Sequence, residues 1–199
     1  MELSKHNKQN LQRKSVMQNE INLIKACIKG DKKSQKQLYE QYSKRLFVVC
    51  LRYTKGRLDA EDVLQESFIK AFANLTNFRH DCPLEAWLKR IVVNTALKHN
   101  RSKLYTFPPE DVGEMSDLLP DNELTISNFS LKELLELIQK LPLRCQLVFN
   151  MYAIEGYQHL EIAELLEISE GTSKSQYSRA KTLLQAMIAQ REEVHYVSL

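Results

Sequence analysis

The chain has 199 residues, of which 43% are hydrophobic and 27% charged, with a net charge of +3. That much apolar material supplies packed cores and excludes global disorder, and the length fits one large domain or two small ones. Five glycines and five prolines leave few tight turns, and the long apolar segments follow a helical period with no alternating strand run, so an all-α protein is expected.

The opening "MELSKHNKQNLQRKS" is polar and basic. It has no apolar core and does not read as a secretory signal, so residues 1–18 are taken as a tail. Helical patterning then runs over 19–103. "NEINLIKACIKGDKKSQKQLYEQYSKRLFVVCLRYT" gives two helices broken around Gly30–Asp31. "RLDAEDVLQESFIKAFANL" gives a third, with Asp59 as its predicted N-cap and Ala60, Leu64, Phe68, Ala71, Phe72 and Leu75 as its core stripe. A fourth, "PLEAWLKRIVVNTALKHNRSK", starts with Pro83 at an early helical position and packs through Trp87, Leu88, Ile91, Val92 and Thr95.

Residues 104–130 change character. Three prolines, a glycine and no helical period mark a flexible linker. From Tyr105 to Ser130 there is no lysine or arginine, but Glu110, Asp111, Glu114, Asp117, Asp121 and Glu123 are acidic. Setting those six charges aside leaves +9 on the rest of the chain, a basic body that points to nucleic acid. A solvated linker of accidental charge is the plainer reading.

Helical patterning resumes over 131–190, and 191–199 is read as a C-terminal tail. "SLKELLELIQKLP" is stopped by Pro142, and "LRCQLVFNMYAIEG" ends at Gly156. Then come "YQHLEIAELLEI" and "SEGTSKSQYSRAKTLLQ", two short helices joined by about four residues. The second opens with almost nothing apolar. Ser169 is a natural N-cap, Ala163 is small where the helices cross, and Gly171 with nearby hydroxyls lets backbone approach a phosphate. This is a helix-turn-helix.

The cysteines Cys27, Cys50, Cys82 and Cys145 are dispersed, with no C-x-x-C pair and no histidine at metal-ligand spacing. Cys27, Cys50 and Cys145 read as buried thiols and Cys82 as a loop residue. No metal or cofactor is expected, and a reducing cytoplasm fits. No apolar run approaches the roughly 18–20 residues needed to span a bilayer. No nucleophile–base pair or phosphate loop is present, so no catalysis is expected.

Two motifs together, "DAEDVLQESFIKAF" with "NFRHDCPLEAWLKRIVVNTALKHN", and "LPLRCQLVFNMYAIEGYQHLEIAELLEISEGTSKSQYSRAKTLL", resemble the two conserved regions of bacterial RNA polymerase sigma factors. The lack of further domains makes the chain similar to the extracytoplasmic-function (ECF) group. The resemblance implies that the third helix binds the polymerase clamp helices through Asp59, Asp62, Gln65, Glu66 and Ile69, an acidic patch with an apolar centre suited to a basic partner helix. It implies that the loop residues Asn77, Phe78, Arg79 and Asp81, with Arg90, Asn94, Lys98 and Arg101 along the fourth helix, bind and open the minus-ten element. Trp87 reads better as core than as a stacking platform. The last helix is implied to enter the major groove of the minus-thirty-five element through Thr172, Lys174, Ser175, Gln176, Tyr177, Ser178 and Arg179, with Gln176 suited to adenine.

Core RNA polymerase (clamp helices and flap), promoter DNA and an anti-sigma factor covering both domains are the partners the family implies. The acidic linker would thread polymerase channels that otherwise hold nucleic acid. Two residues depart from the family pattern. Glu167 stands where a small residue such as glycine is usual, which costs about 1 kcal/mol if the backbone there is left-handed. Ser173 replaces an aliphatic residue, implying a recognition helix that packs less firmly. Two rival readings remain open to the residues themselves: a stand-alone helix-turn-helix regulator, and a helical adaptor with no DNA role.

Overall fold

Helices begin and end where local chemistry punctuates the chain. The computed structural model describes residues 18–106 and 130–197, and all regular structure among them is helical. Residues 1–17 of the expected tail (1–18), most of the acidic linker (107–129) and positions 198–199 lie outside the described residues, and residue 18 already belongs to a helix.

Helix α1 covers 18–28 and stops at Gly30, whose φ of +83° favours glycine. Asp31 then caps α2 (Lys32–Tyr53): its carboxylate accepts the Ser34 backbone N–H at 2.8 Å and the Ser34 hydroxyl at 2.6 Å. Those bonds hold its carboxyl below the ordinary range. Helix α3 (Arg57–Asn74) starts two residues before the expected cap, so Asp59 lies inside its first turn. Just before it, the Thr54 hydroxyl donates to the carbonyls of Cys50 and Gly56, tying the end of α2 to the start of α3. Asp59 still favours the helix N-terminus by its charge. The buried stripe of α3 includes Val63 and Ser67 beside the expected Ala60, Leu64, Phe68 and Ala71. Ser67 is tolerated there because its hydroxyl donates to the Val63 carbonyl at 2.6 Å. A 3-10 turn (Leu75–Asn77) and a loop lead to α4 (Leu84–Thr106), whose first bonds run from Ala86 and Trp87 to the Pro83 carbonyl.

Helix α5 (Leu131–Lys140) opens with reciprocal bonds between Ser130 and Glu133, a capping box. Pro142 separates it from α6 (Leu143–Phe149), which continues into a π turn (Asn150–Ile154) where the Glu155 N–H reaches the Asn150 carbonyl at 3.0 Å. After Gly156 (φ +81°) come α7 (His159–Leu166) and α8 (Glu170–Val197), the latter running past the expected end at 190. Leu137, Ile138, Leu141, Cys145, Phe149, Ala180 and Leu184 form the core of this half. Cys27, Cys50 and Cys145 are buried and Cys82 is exposed; burial pushes the Cys50 thiol up to about 12.

The two helical halves pack against each other. Leu147, Val148, Met151 and Ile162 join the core built by α1–α4. Around that contact, side chains of one half satisfy the carbonyls that the C-terminus of α2 leaves open. Gln146 and Asn150 both donate to the Arg52 carbonyl, at 2.8 and 2.6 Å, and Gln139 donates to that of Leu51 at 2.9 Å. In return the Lys55 ammonium donates to the carbonyls of Gln139 and Leu141 at the end of α5. The Glu155 side chain, only 3% exposed, lies between Arg52 of α2 and Lys89 of α4.

Candidate nucleic-acid and partner interfaces

The outward face of α3 carries one candidate surface. Asp62, Gln65, Glu66 and Ile69 are exposed on it, Ile69 by 70%. Lys70, one turn on, pairs with Glu66 at 2.7 Å and holds its carboxyl below the ordinary range. Asp59 is half-buried, 3.5 Å from His99 of α4, and sits at the margin of this face. Sequence reasoning missed Leu58, which is 77% exposed at the start of α3 and extends the apolar part of the stripe. The signal was available: Leu58, Asp62, Gln65 and Ile69 share a helical period.

The loop before α4 is only partly as expected. Asn77, Arg79 and Asp81 are exposed, and His80 adopts a left-handed φ of +59°. Phe78, implied by the resemblance to help bind and open the minus-ten element, is instead buried, its ring 5.3 Å from Trp87 and 4.6 Å from His80. The reason is geometric: a loop this short between two packed helices brings Phe78 back onto the core, against Trp87. Arg90, Asn94, Lys98 and Arg101 are exposed along one stripe of α4. That stripe does not face open space along its whole length. Asn94, Lys98 and Arg101 line a cleft of about 430 Å³ opposite Leu165, Leu166 and Glu167 of the other half, and Arg101 is ion-paired with Glu167.

In the helix-turn-helix, Ser169 caps α8 by accepting the Thr172 N–H at 2.9 Å. Ala163 is buried at the crossing. Glu167 is left-handed (φ 56°, ψ 47°), as the family pattern implied for that position. Ser173, at 0% exposure, lines up with Gln176, Ala180 and Leu184 on the buried face of α8. It does not loosen the packing. Its hydroxyl meets His159 Nδ1 at 2.9 Å, and the His159 ring stacks on Tyr152 with centroids 4.2 Å apart. Burial, then the charge of Lys174, pushes the His159 pKa down, which favours the neutral imidazole.

Gln176 is the clearest correction. It is 5% exposed, and its amide oxygen accepts the Cys145 thiol at 3.0 Å. A side chain held inside the domain cannot read adenine. Tyr177 is half-buried in an aromatic group with Phe149, Tyr152 and His159. The outer face of α8 consists of Gly171, Lys174 and Ser178, flanked by the half-buried Thr172, Ser175 and Arg179. Lys174 pairs with Glu170 at 2.7 Å, and the Ser175 hydroxyl bonds the Thr172 carbonyl.

A helical chain with a capped helix-turn-helix, whose second helix presents Lys174 and Arg179, and an acidic–apolar helix face in its other half has the features of a DNA-binding protein that meets a protein partner. Comparison with known proteins gives the family. Residues 38–104 match the model of Sigma-70 region 2 and residues 131–184 that of Sigma-70 region 4. The chain is 30% identical over 178 residues to the ECF RNA polymerase sigma-E factor of Haemophilus influenzae, covering 83% of this chain and 93% of that protein. It is 29% identical to the ECF RNA polymerase sigma factor SigM of Mycobacterium tuberculosis, covering 83% of each. Among solved structures, the sigma factor RpoE of Bartonella quintana, crystallised with the anti-sigma factor NepR, matches with a TM-score of 0.49 at 21% identity, covering 77% of this chain and 96% of that one. The chain belongs to the ECF group of RNA polymerase sigma factors. Among the described residues, no helix is long and apolar enough to cross a membrane.

Proposed function

We propose that the two helical halves of this sigma factor divide promoter recognition between them. A sigma factor is a transcription initiation factor: it binds core RNA polymerase and directs it to promoters. Here the region over 19–103 is the polymerase-docking and minus-ten half, 131–190 the minus-thirty-five half, and the acidic stretch over 104–130 the linker. Asp62, Gln65, Glu66 and Ile69, with Leu58 added, form the docking stripe, whose exposed mix of carboxylates and aliphatics suits a basic amphipathic helix. Arg90, Asn94, Lys98 and Arg101, with the loop residues Asn77, Arg79 and Asp81, serve the minus-ten element. Lys174, Ser175, Ser178 and Arg179 serve the minus-thirty-five element. Gln176 and Phe78 drop out of the contact set and become supports of the surfaces beside them. The protein acts in the cytoplasm, where the polymerase is, and an anti-sigma factor is its natural antagonist.

The observation that carries this reading is the pairing of an exposed acidic–apolar face on α3 with a helix-turn-helix in one chain. The test is charge reversal of the stripe. Asp62→Lys with Glu66→Lys abolishes co-purification with core polymerase and abolishes transcription starts that wild-type protein directs on genomic DNA. If the double variant still directs the same starts, the docking assignment is wrong.

A further inference from the structure

We propose that the lysines around the turn from α1 to α2 hold the phosphate backbone of promoter DNA where it leaves the minus-ten element on the downstream side. The proposal rests on the reading of the 77–81 loop as a minus-ten surface. Charge points there first. Residues 1–36 hold nine lysines and arginines against Glu2, Glu20 and Asp31, a net +6, although the whole chain carries only +3. Five of those cations, Lys25, Lys29, Lys32, Lys33 and Lys36, fall within twelve residues, and all five are exposed. Lys36 alone of them has an ion pair among the described residues, a loose one of 3.7 Å to Glu40. Asp31, the one acid in the group, is already engaged: Ser34 gives its carboxylate two bonds. Lys32 and Lys33 also stand in the first turn of α2, which has no acid of its own. Cations there oppose the helix dipole, a cost that a bound anion offsets.

Placement decides which anion. Helices α2 and α4 run side by side in the same direction, since Arg45 pairs with Glu85 at 2.9 Å and the Asn100 amide donates to the Tyr53 carbonyl at 2.7 Å. Lys32, well before Arg45 in α2, therefore lies about 20 Å further along, past the start of α4, at about 1.5 Å per residue. Helix α3 runs the other way, with Arg57 over the Phe47 ring and Phe68 against Tyr39. The same register brings the Leu75–Asn77 turn, and the loop that follows it, to the end of this half where the lysines cluster. At the opposite end α4 leads through 104–130 to the minus-thirty-five half. Promoter DNA thus runs upstream past Arg101 and downstream past Asn77, Arg79 and Asp81. A strand leaving that loop meets the lysines next. Lysine is a compact point charge that holds phosphate without reading a base. A lipid surface fits less well. Ile28, 43% exposed, is the one large apolar side chain exposed within 25–36, and stable membrane anchoring takes an apolar signal beside a basic patch. The contact serves every promoter alike: it lengthens the life of the opened complex and leaves the choice of promoter to the other surfaces.

The test uses holoenzyme assembled with core polymerase, on a promoter mapped from the transcription starts that wild type directs on genomic DNA. Lys29→Gln, Lys32→Gln and Lys33→Gln are combined in one chain. Lys132→Gln with Lys140→Gln, both at exposed positions of the other half, is the control. Two templates are compared, one cut at the downstream edge of the minus-ten element and one continuing to the start site. On the longer template the triple variant binds about tenfold more weakly at low salt, and its salt slope falls by about two, from three lost single-strand contacts at about 0.7 each. On the cut template it matches wild type, as the control does on both. Core polymerase binding and helical circular dichroism stay unchanged. A photo-crosslinker in place of Lys33 marks the strand downstream of the minus-ten element, and one in place of Arg79 marks the element itself. Wild-type affinity of the triple variant on the longer template overturns the proposal, as does an equal loss on both templates. A crosslink from position 33 to polymerase alone overturns it in favour of a protein contact. Flotation of wild type, but not the triple variant, with phosphatidylglycerol vesicles, without any loss on the longer template, overturns it in favour of lipid. If position 79 marks no minus-ten base while position 33 still marks DNA, the loop reading fails and the downstream placement with it, although the lysines still hold DNA.

Discussion

Replacing Gln176 by alanine separates a residue that reads DNA from one that builds the reader. The structure gives the cost. The side chain is 5% exposed, accepts the Cys145 thiol, and shares the buried face of α8 with Ser173, Ala180 and Leu184. Truncating it leaves a cavity of the kind that costs about 2–4 kcal/mol for residues of this length, plus a weak hydrogen bond. For a chain of this size that lowers the melting temperature by about 4–16 °C, at about 2–4 °C per kcal/mol. Gln176→Leu keeps most of the volume and recovers most of the loss. The assay is thermal unfolding followed by circular dichroism, with duplex binding measured well below the transition. There the alanine variant retains its sequence preference. A Gln176→Ala protein that melts like wild type but loses discrimination at one base pair of the minus-thirty-five element refutes the buried assignment.

Lys174→Ala shows the opposite pattern. Its exposed pair with Glu170 contributes little to stability, so melting moves by less than about 0.5 kcal/mol equivalent, while DNA binding weakens at every sequence and the salt slope falls by about one. Asn100 is 1% exposed and donates to the carbonyls of Tyr53 and Ala96; Asn100→Ala leaves the Tyr53 carbonyl wanting and destabilises the protein by about 1–3 kcal/mol in urea unfolding. The His159 pKa is depressed in the folded protein, so the unfolded chain takes up the proton first as pH falls. The stabilisation from neutral His159 is therefore present above the ordinary value of about 6.5 and is lost as pH falls through the folded value. Melting temperatures compared at pH 7 and pH 5 show a larger drop for wild type than for His159→Gln, and Lys174→Ala moves the His159 titration upward when followed by NMR.

Much of the fold could be read from local chemistry. The breaks at Gly30–Asp31, Pro142 and Gly156, the Ser169 cap and the three buried thiols depend on neighbours within a few residues. Phe78 and Gln176 were misread because burial of one loop aromatic or one amide is decided by distant partners: Trp87 for the first, Cys145, 31 positions away, for the second. Gln176 looked like a base reader because a polar residue on a basic helix is normally outside. The contact between the halves had no sequence signature at all. Arg52 and Glu155 are 103 positions apart, and nothing around either marks the other as its partner. Conversely, Glu167 and Ser173 looked like departures and proved to be specific: the first pairs with Arg101, the second holds His159.

The π turn at Asn150–Ile154 has the standing of a one-residue gear. In an α-helix each residue advances about 100°, so Asn150 and Glu155 would point well apart. The wider turn, closed by the bond from Glu155 to the Asn150 carbonyl, brings both onto the side facing Arg52. Deleting a single residue within it would restore the α period and place Glu155 four positions after Asn150, still on the face toward α2. The π turn thus absorbs one extra residue of chain while keeping Asn150 and Glu155 on the face that meets α2.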